Sequence, residues 1–514
     1  MKTVLEYLEY SAAVRPHAVA VEDAGGTATF QELEVGCRKV GSALTERIAL
    51  REPVAIFLEK GRQALWAFWG TVYAGGFYVP LNPDLPPARL RQIQSVLQAN
   101  YVITDRAHRV RALEIFSPEA ILDVEELLAA PLQPARLEAV RSQVVDTDPL
   151  YTNFTSGSTG QPKGVVVSHR SVIDFIDTFV DCFGMDHTDI LANQAPFDFD
   201  VSVKDLYTML KTGAKLSVVP KELFSRPKEL LDWLCDRKVT SLTWAVSALC
   251  LISTFHGLDY RVPETVRRVL FSGEVMPAGH LRRWMERLPR ATFANLYGPT
   301  EVTCNCLYHV VERDRAYEEG LPLGEPFPGR RVLLLDGETP VTEEGSVGEI
   351  CVGGSALARG YYAAPDRPAR SFVQNPLSGA LPETLYRTGD LARIGAGGEL
   401  YFCGRVDNQV KLQGHRVELE EVDAALEAQP GVERCRCAYD APRRRVCAFY
   451  EGDAAPGELR LAAARLVPGP AVPAVIERVD AMPLTRNGKV DRSALLEAHL
   501  ERARRGRAGG RRTC

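Results

Sequence analysis

No stretch of this sequence approaches the roughly 18 uninterrupted apolar residues that a membrane-spanning helix needs, so no membrane partner is expected. The amino terminus, MKTVLEYLEYSAAVRP, also lacks a long apolar core and a small-residue cleavage site. Its apolar pattern is broken by Glu6, Glu9 and Tyr10, and it reads as a first amphipathic helix instead of a signal peptide. Charge of one sign is missing too. A net charge of -5 and a pI near 6.1 offer no general pull toward nucleic acid or an anionic surface. The 12 cysteines are scattered. The close pairs Cys304/Cys306 and Cys435/Cys437 are C-x-C, without the paired spacing of a zinc site or redox motif. A reducing cytoplasm is the expected setting. No repeat period is evident.

What is present is a chain of 514 residues, too long for one hydrophobic core. Up to about residue 400, short β-rich runs such as PVAIFLE, ANYVITD, KLSVVP and VTSLTWAV alternate with helical patterns such as ARLRQIQSVLQ and PKELLDWLCDRK. That order predicts α/β layers with much parallel sheet. GELYFCGRVDNQVKLQGHRVELEEVDAALEAQ then changes the texture to short strands, a glycine turn at Gly414 and an amphipathic helix from about Glu418. The expected division is an N-terminal body over 1–406, built of several subdomains with layered sheets and helices, and a small α+β domain over 407–514. The basic run RARRGRAGGRRTC reads as a frayed, solvated tail from about residue 501.

FTSGSTGQPKG, Phe154 to Gly164, invites comparison with a Walker phosphate loop, and the spacing fails. A Walker loop needs G-x4-G-K-[ST] between a strand and a helix. Here Gly157 is followed five positions later by Pro162, Lys163 is followed by Gly164, and the alternating GVVVSH predicts a second strand. The chemistry still points to phosphate. Glycines let backbone N–H groups approach an anion, Thr155, Ser156, Ser158 and Thr159 add hydroxyl donors, and Lys163 adds charge. A flexible surface turn is the plainer reading of this loop alone.

Other segments carry matching chemistry. In NLYGPTEVT, Asn295 to Thr303, Tyr297 can stack on a purine, Thr300 donate to a phosphate and Glu301 hold Mg²⁺, although Thr300 and Glu301 can equally begin a helix. LYRTGDLAR places Asp390 at the tip of a turn, where a carboxylate can accept both hydroxyls of a ribose or simply stabilise the turn. GRVDNQVKLQGHRVELEEVD sets Arg405 beside Asp407, and LTRNGKVDRSALL presents Lys489 on a glycine turn before a helix capped by Asp491.

Together with LWAFWGTVYAGGFYVPLNPDLPPARL and GEICVGGSALARGYY, these segments resemble the adenylate-forming superfamily over nearly the whole chain. The likeness is to the amino-acid-activating adenylation domains of nonribosomal peptide synthetases and the related D-alanine–carrier-protein ligases. It implies that Thr155, Ser156, Gly157, Ser158, Thr159, Gly160 and Lys163 cradle the outer phosphates of ATP. Asn295, Tyr297 and Gly298 with Gly273 and Glu274 would line the purine slot, and Phe402 would close its other side. Thr300 would touch the α-phosphate, Glu301 the magnesium, Asp390 the ribose, and Arg405 the ribose or phosphate. Asp407 falls where the family has its hinge, and Lys489 where it has its adenylation lysine, so that Lys489, Thr300 and Glu301 are the implied catalytic set.

In APFDFDVSVKDLYTML, Asp198 and Asp200 compete to bind a substrate ammonium. The family pattern selects Asp200, whereas capping a helix is the plainer role, with Asp198 the better candidate for it. The other implied pocket positions are Val201, Lys204, Thr243, Leu270, Ser272, Leu296, Cys304 and Asn305, which suggest a small, mainly apolar pocket and a small neutral amino acid. Lys204 departs from the common pattern. It can read a polar or acidic substrate, or pair with Asp205 and leave the pocket, and the second is the expectation. After SALLEAHL no Gly-Gly-x-Ser carrier motif follows, so the expected acceptor is the phosphopantetheine thiol of a separate carrier protein, in nonribosomal peptide biosynthesis. The alternatives are a D-alanine–carrier protein ligase, or an acyl- or aryl-CoA ligase of the same superfamily, the latter having no need for Asp200.

Overall fold

β-Branched and aromatic runs form the strands of this chain, and the amphipathic runs between them form helices. In the computed structural model, which describes residues 1–156, 161–364, 371–484 and 490–509, PVAIF is the strand Pro53–Phe57, YVIT the strand Tyr101–Thr104 and SLTWA the strand Ser241–Ala245. The two helical patterns become Pro87–Leu97 and Pro227–Asp236. The amino-terminal helix Leu5–Val14 buries Leu5, Tyr7, Leu8 and Ala12.

Among the described residues the strands assemble into three large sheets and two small ones. The nine-stranded sheet has a parallel interior, in which Ile190–Asn193, Ser241–Ala245, Arg268–Ser272 and Thr292–Tyr297 lie side by side. Such strands are covered on both faces, and Ser241–Ala245 is buried at every position. Trp244 within it is fully buried and donates from Nε1 to the Ala192 carbonyl at 2.7 Å. In the seven-stranded sheet Pro53–Phe57 lies parallel between Phe77–Pro80 and Tyr101–Thr104, and the sheet includes Pro149–Thr155 and Lys163–Ser168. The segment between those last two strands therefore joins strand to strand. In the six-stranded sheet Val347–Gly354 and Thr384–Ile394 pair antiparallel, with Leu400–Arg405 along the second.

The chain divides into two compact units. One comprises Met1–Pro83, Val96–Phe154 and Gly164–Val406, and the other Asp84–Ser95, Thr155–Lys163 and Asp407–Cys514. The division is thus more than a single cut near residue 407. In the second unit the hairpin Gln409–Leu412 and His415–Glu418 turns through Gln413 and Gly414, both at positive φ. The helix Leu419–Glu427 and a three-stranded sheet follow. The last helix, Arg492–Gly509, begins at Asp491, whose Oδ1 accepts from the Ala494 N–H at 3.0 Å. It carries the described part of the basic run, through residue 509, as helix, and His499 and Arg502 both engage Glu477 at the start of that run.

Within the first unit His169 starts the helix His169–Phe183 with 1% of its surface exposed, and its Nδ1 accepts from the Val4 N–H at 3.4 Å. Burial lowers its pKa from 6.5 to about 4, so the folded state holds the ring neutral. The unfolded chain takes up this proton first. The associated stability is present above about pH 6.5 and is lost as pH falls toward 4, on the order of 3 kcal/mol. Urea unfolding at pH 7.5 and 5 is expected to show a smaller acid loss for His169→Gln than for the native chain.

Candidate functional site

Parallel strands leave their carboxyl ends open to ligands, and the pocket positions gather there. Thr243 is in register with Leu270, and Ser272 with Leu296, so residues of three adjacent strands share one face of the sheet. All four are at least 95% buried. Over these ends lies the helix Val201–Thr212, whose N-cap position is Asp200. Asp200 makes no side-chain capping bond, and Asp198 is not the cap, which corrects the expected assignment between the two. The Asp200 carbonyl accepts from Cys304 Sγ at 3.1 Å, bringing the helix start against the segment after Thr300–Val302.

Lys204 overturns a second expectation. Its Nζ donates to Asn305 Oδ1 at 2.8 Å and to Ser272 Oγ at 3.4 Å, both pocket positions, instead of pairing with Asp205. Asp205 accepts from Asn193 Nδ2 at 3.1 Å, and burial raises its pKa to about 7. Lys60, lowered by burial to about 7, donates to the Asn193 and Gln194 carbonyls. Being one residue apart on a helix, 204 and 205 point about 100° apart: Asp205 meets Asn193 and Thr243, and Lys204 meets Ser272 and Asn305.

Asp390 is not at the tip of a turn. It lies inside the strand Thr384–Ile394, opposite Arg405, and is 2% exposed. The turn-like sequence Thr-Gly-Asp is accommodated as an irregularity in the ladder, with Gly389 at φ 72 and a register shift against Val347–Gly354. Tyr297 donates its hydroxyl to Asp390 Oδ2 at 2.6 Å, and Arg405 pairs with Oδ1. The Tyr297 ring packs in a core cluster with Val302, Cys306 and Leu307 at 7% exposure. Burial, with the adjacent Asp390 charge, raises its hydroxyl pKa well above the usual value. Asn295 donates from Nδ2 to the Pro322 carbonyl at 2.9 Å, Gly273 and Glu274 follow the strand Arg268–Ser272, and Phe402 stands 40% exposed on Leu400–Arg405.

Thr300 and Glu301 begin a single 3₁₀ turn, Thr300–Val302. Glu301 is fully buried, and its Oε1 accepts from the Tyr361 hydroxyl at 3.0 Å. Thr303 and Cys304 follow with φ of 57° and 71°, two left-handed non-glycine residues in succession. Such backbone is strained and persists only where surrounding contacts hold it. One of them is the Thr303 hydroxyl on the Ala356 carbonyl at 2.6 Å.

Within the second unit, Ser156 Oγ donates to the Arg416 carbonyl at 2.8 Å, and Lys163 Nζ lies 4.0 Å from Glu418 Oε1. Burial raises the Glu418 pKa above the usual carboxylate value, with Arg416 and Lys163 opposing. Asp407 Oδ1 accepts from the Gln409 N–H at 3.2 Å. Gly157, Ser158, Thr159, Gly160 and Lys489 lie outside the described residues. Sequence reasoning missed Tyr361, although GEICVGGSALARGYY contains it, and also Glu349 and Glu418. Glu349 accepts from the Gly389 N–H at 2.9 Å and pairs with Arg387. For Glu349 the available signal was a lone acidic residue at the head of the apolar run ICV, with no Lys or Arg near it in sequence.

The family model for AMP-binding enzymes matches residues 8–362. Tyrocidine synthase 1 of Brevibacillus parabrevis is 30% identical over 509 residues, which cover 97% of this chain and 45% of that protein. Syringomycin synthase SyrB1 of Pseudomonas syringae pv. syringae is 32% identical over 507 residues, covering 93% of this chain and 79% of that protein. The structure of PA1221, an NRPS protein containing adenylation and PCP domains, is similar with a TM-score of 0.81 at 27% identity, covering 97% of this chain and 84% of that one. This chain spans less than half the length of several of the large synthases it matches.

Gly298 lets the strand Thr292–Tyr297 pass close to residues 304–306. A Cβ there would lie 2.6 Å from Asn305 Cα, 2.8 Å from the Cys304 carbonyl oxygen and 2.9 Å from Cys306 N, all backbone. Gly298→Ala is expected to destabilise the chain by about 1–3 kcal/mol, read as a lowered Tm.

Proposed function

We propose that this chain, which belongs to the AMP-binding enzyme family and is an adenylate-forming ligase of the nonribosomal peptide synthetase type, activates a small amino acid with ATP and transfers it to a carrier-protein thiol. The observation that carries the reading is Asp200 at the head of a helix lying over the strand ends, among the clustered side chains of Thr243, Leu270, Ser272, Leu296, Cys304 and Asn305. A carboxylate in such surroundings is complementary in charge to an α-ammonium.

In the first step a carboxylate oxygen of the amino acid attacks the α-phosphorus of ATP, the bond to the bridging oxygen breaks, and pyrophosphate leaves with its electron pair. In the second, a phosphopantetheine thiolate attacks the acyl carbon of the adenylate and AMP departs. Asp390, oriented by Tyr297 and Arg405, would accept the ribose hydroxyls. Thr300 would donate to the α-phosphate, and the 155–163 loop with Lys163 would hold the outer phosphates. Thr155 Oγ1 is buried without a partner among the described residues, which fits a polyphosphate acceptor at this loop. Glu301 offers buried oxygen donors of the kind Mg²⁺ prefers, and the ion would neutralise charge on the phosphates.

Lys489 would add charge at the α-phosphate. Residues 407–514, turning at Asp407 relative to a core over 1–406, would remove that lysine after the first step. The carrier would be a separate phosphopantetheinylated protein, similar to the PCP domain that PA1221 contains. Among the described residues no helix is long and apolar enough to cross a membrane. The described cysteines are all free, and the reaction would run in the cytoplasm, where thiols stay reduced.

Two measurements test this. Asp200→Ala is expected to reduce amino-acid-dependent ATP–pyrophosphate exchange by at least about 100-fold; unchanged exchange would remove Asp200 from ammonium binding, and exchange supported by acyl or aryl acids and by no amino acid in the native enzyme would transfer the reading to an acyl- or aryl-acid ligase. Lys163→Ala is expected to slow adenylate formation more than thiol transfer from preformed aminoacyl adenylate, and equal losses in both would remove the loop from phosphate binding.

A further inference from the structure

Lys204 is a buried ammonium whose hydrogen-bond partners, Asn305 Oδ1 and Ser272 Oγ, are neutral. It is 1% exposed, and among the described residues no carboxylate forms an ion pair with it. Burial pulls its pKa below the usual lysine value, while the charges of Asp200 and Asp205 act in the opposite direction. A charge taken out of water and left without a counter-ion is strongly penalised. Both groups that accept its hydrogen bonds are pocket positions.

Asp200 and Lys204 are also one helical turn apart at the start of Val201–Thr212, so they share a face, about 5–6 Å from one Cβ to the other. A carboxylate and an ammonium in that order complement a ligand carrying an ammonium and, a short distance away, a carboxylate. Leu270 and Leu296, 0% and 2% exposed, add apolar side chains beside these groups. The Ser272 hydroxyl and the Asn305 amide are further donors of the kind a carboxylate uses.

We infer that Lys204 is a specificity-determining residue for a substrate side chain bearing a carboxylate, so that the amino acid activated is small and acidic, with the dimensions of aspartate. The inference rests on the adenylation reading above and replaces the neutral side chain expected from the sequence. Asp200 takes the α-ammonium, Lys204 the side-chain carboxylate, and the α-carboxylate is left to attack phosphorus.

The test is amino-acid-dependent ATP–pyrophosphate exchange by the full chain, over aspartate, glutamate, asparagine, alanine, 2-aminobutyrate and proline in both enantiomers. Aspartate is expected to exceed asparagine and 2-aminobutyrate by at least about 100-fold in kcat/KM. Lys204→Met should lose aspartate activity chiefly through KM and gain on 2-aminobutyrate. Lys204→Glu should gain activity on 2,3-diaminopropionate. A native enzyme that prefers alanine or 2-aminobutyrate, with the same ranking in Lys204→Met, overturns the inference and leaves amino-acid adenylation standing. If no amino acid supports exchange while ATP still binds, adenylation itself fails and this inference falls with it. Should Lys204→Met not fold, the native ranking decides alone.

Discussion

A carboxylate buried away from water must be held by donors, and Asp390 takes its donors from two sheets. Tyr297 comes from the end of a strand in the nine-stranded sheet, while Arg405 lies opposite Asp390 in the six-stranded one. Removing one partner of such a buried pair costs about 3–5 kcal/mol, because the other charge is left uncompensated. The same contact fixes the end of Thr292–Tyr297, and from there the chain passes through Gly298 into the 3₁₀ turn that carries Thr300 and Glu301. Tyr297, Gly298 and the turn bearing Thr300 and Glu301 are thus anchored by one clamp within the first unit.

Charge placement also separates the two ends of the proposed substrate pocket. The helix Val201–Thr212 buries nine of its twelve residues, so a polar side chain on it survives only where partners await it. Asp205 finds Asn193 on one side, and Lys204 finds Asn305 and Ser272 on the other. The helix thereby gives two adjacent, oppositely charged residues separate sets of neutral partners, with Asp205 also meeting Thr243.

Much of the fold could be read in the sequence, because strand and helix periods are local properties. The runs PVAIF, YVIT and SLTWA are strands, and ARLRQIQSVLQ is a helix. Asp390 was misplaced for a local reason as well. Thr-Gly-Asp has turn chemistry, and only pairing with Val347–Gly354 and Leu400–Arg405 keeps it extended, with Gly389 absorbing the irregularity. Asp198 and Asp200 are equally good capping residues by type, yet the N-cap position falls on Asp200 and its side chain makes no capping bond. Near the carboxyl terminus, Glu477, distant in sequence, is the partner of His499 and Arg502, a pairing that no local pattern signals.

The sequence by itself determined the alternation of strands and helices, the strand-to-strand setting of the glycine and hydroxyl loop, and the chemistry of the motifs that mark the family. These depend on side-chain type and short-range spacing. Tertiary structure alone decided which way Lys204 points, that Tyr361 meets Glu301, and that 84–95 and 155–163 group with the residues after 406. Each of those outcomes joins residues far apart in the chain. Their pairing is set by which buried polar groups find complementary partners once the sheets have formed, a condition that no local window of sequence contains.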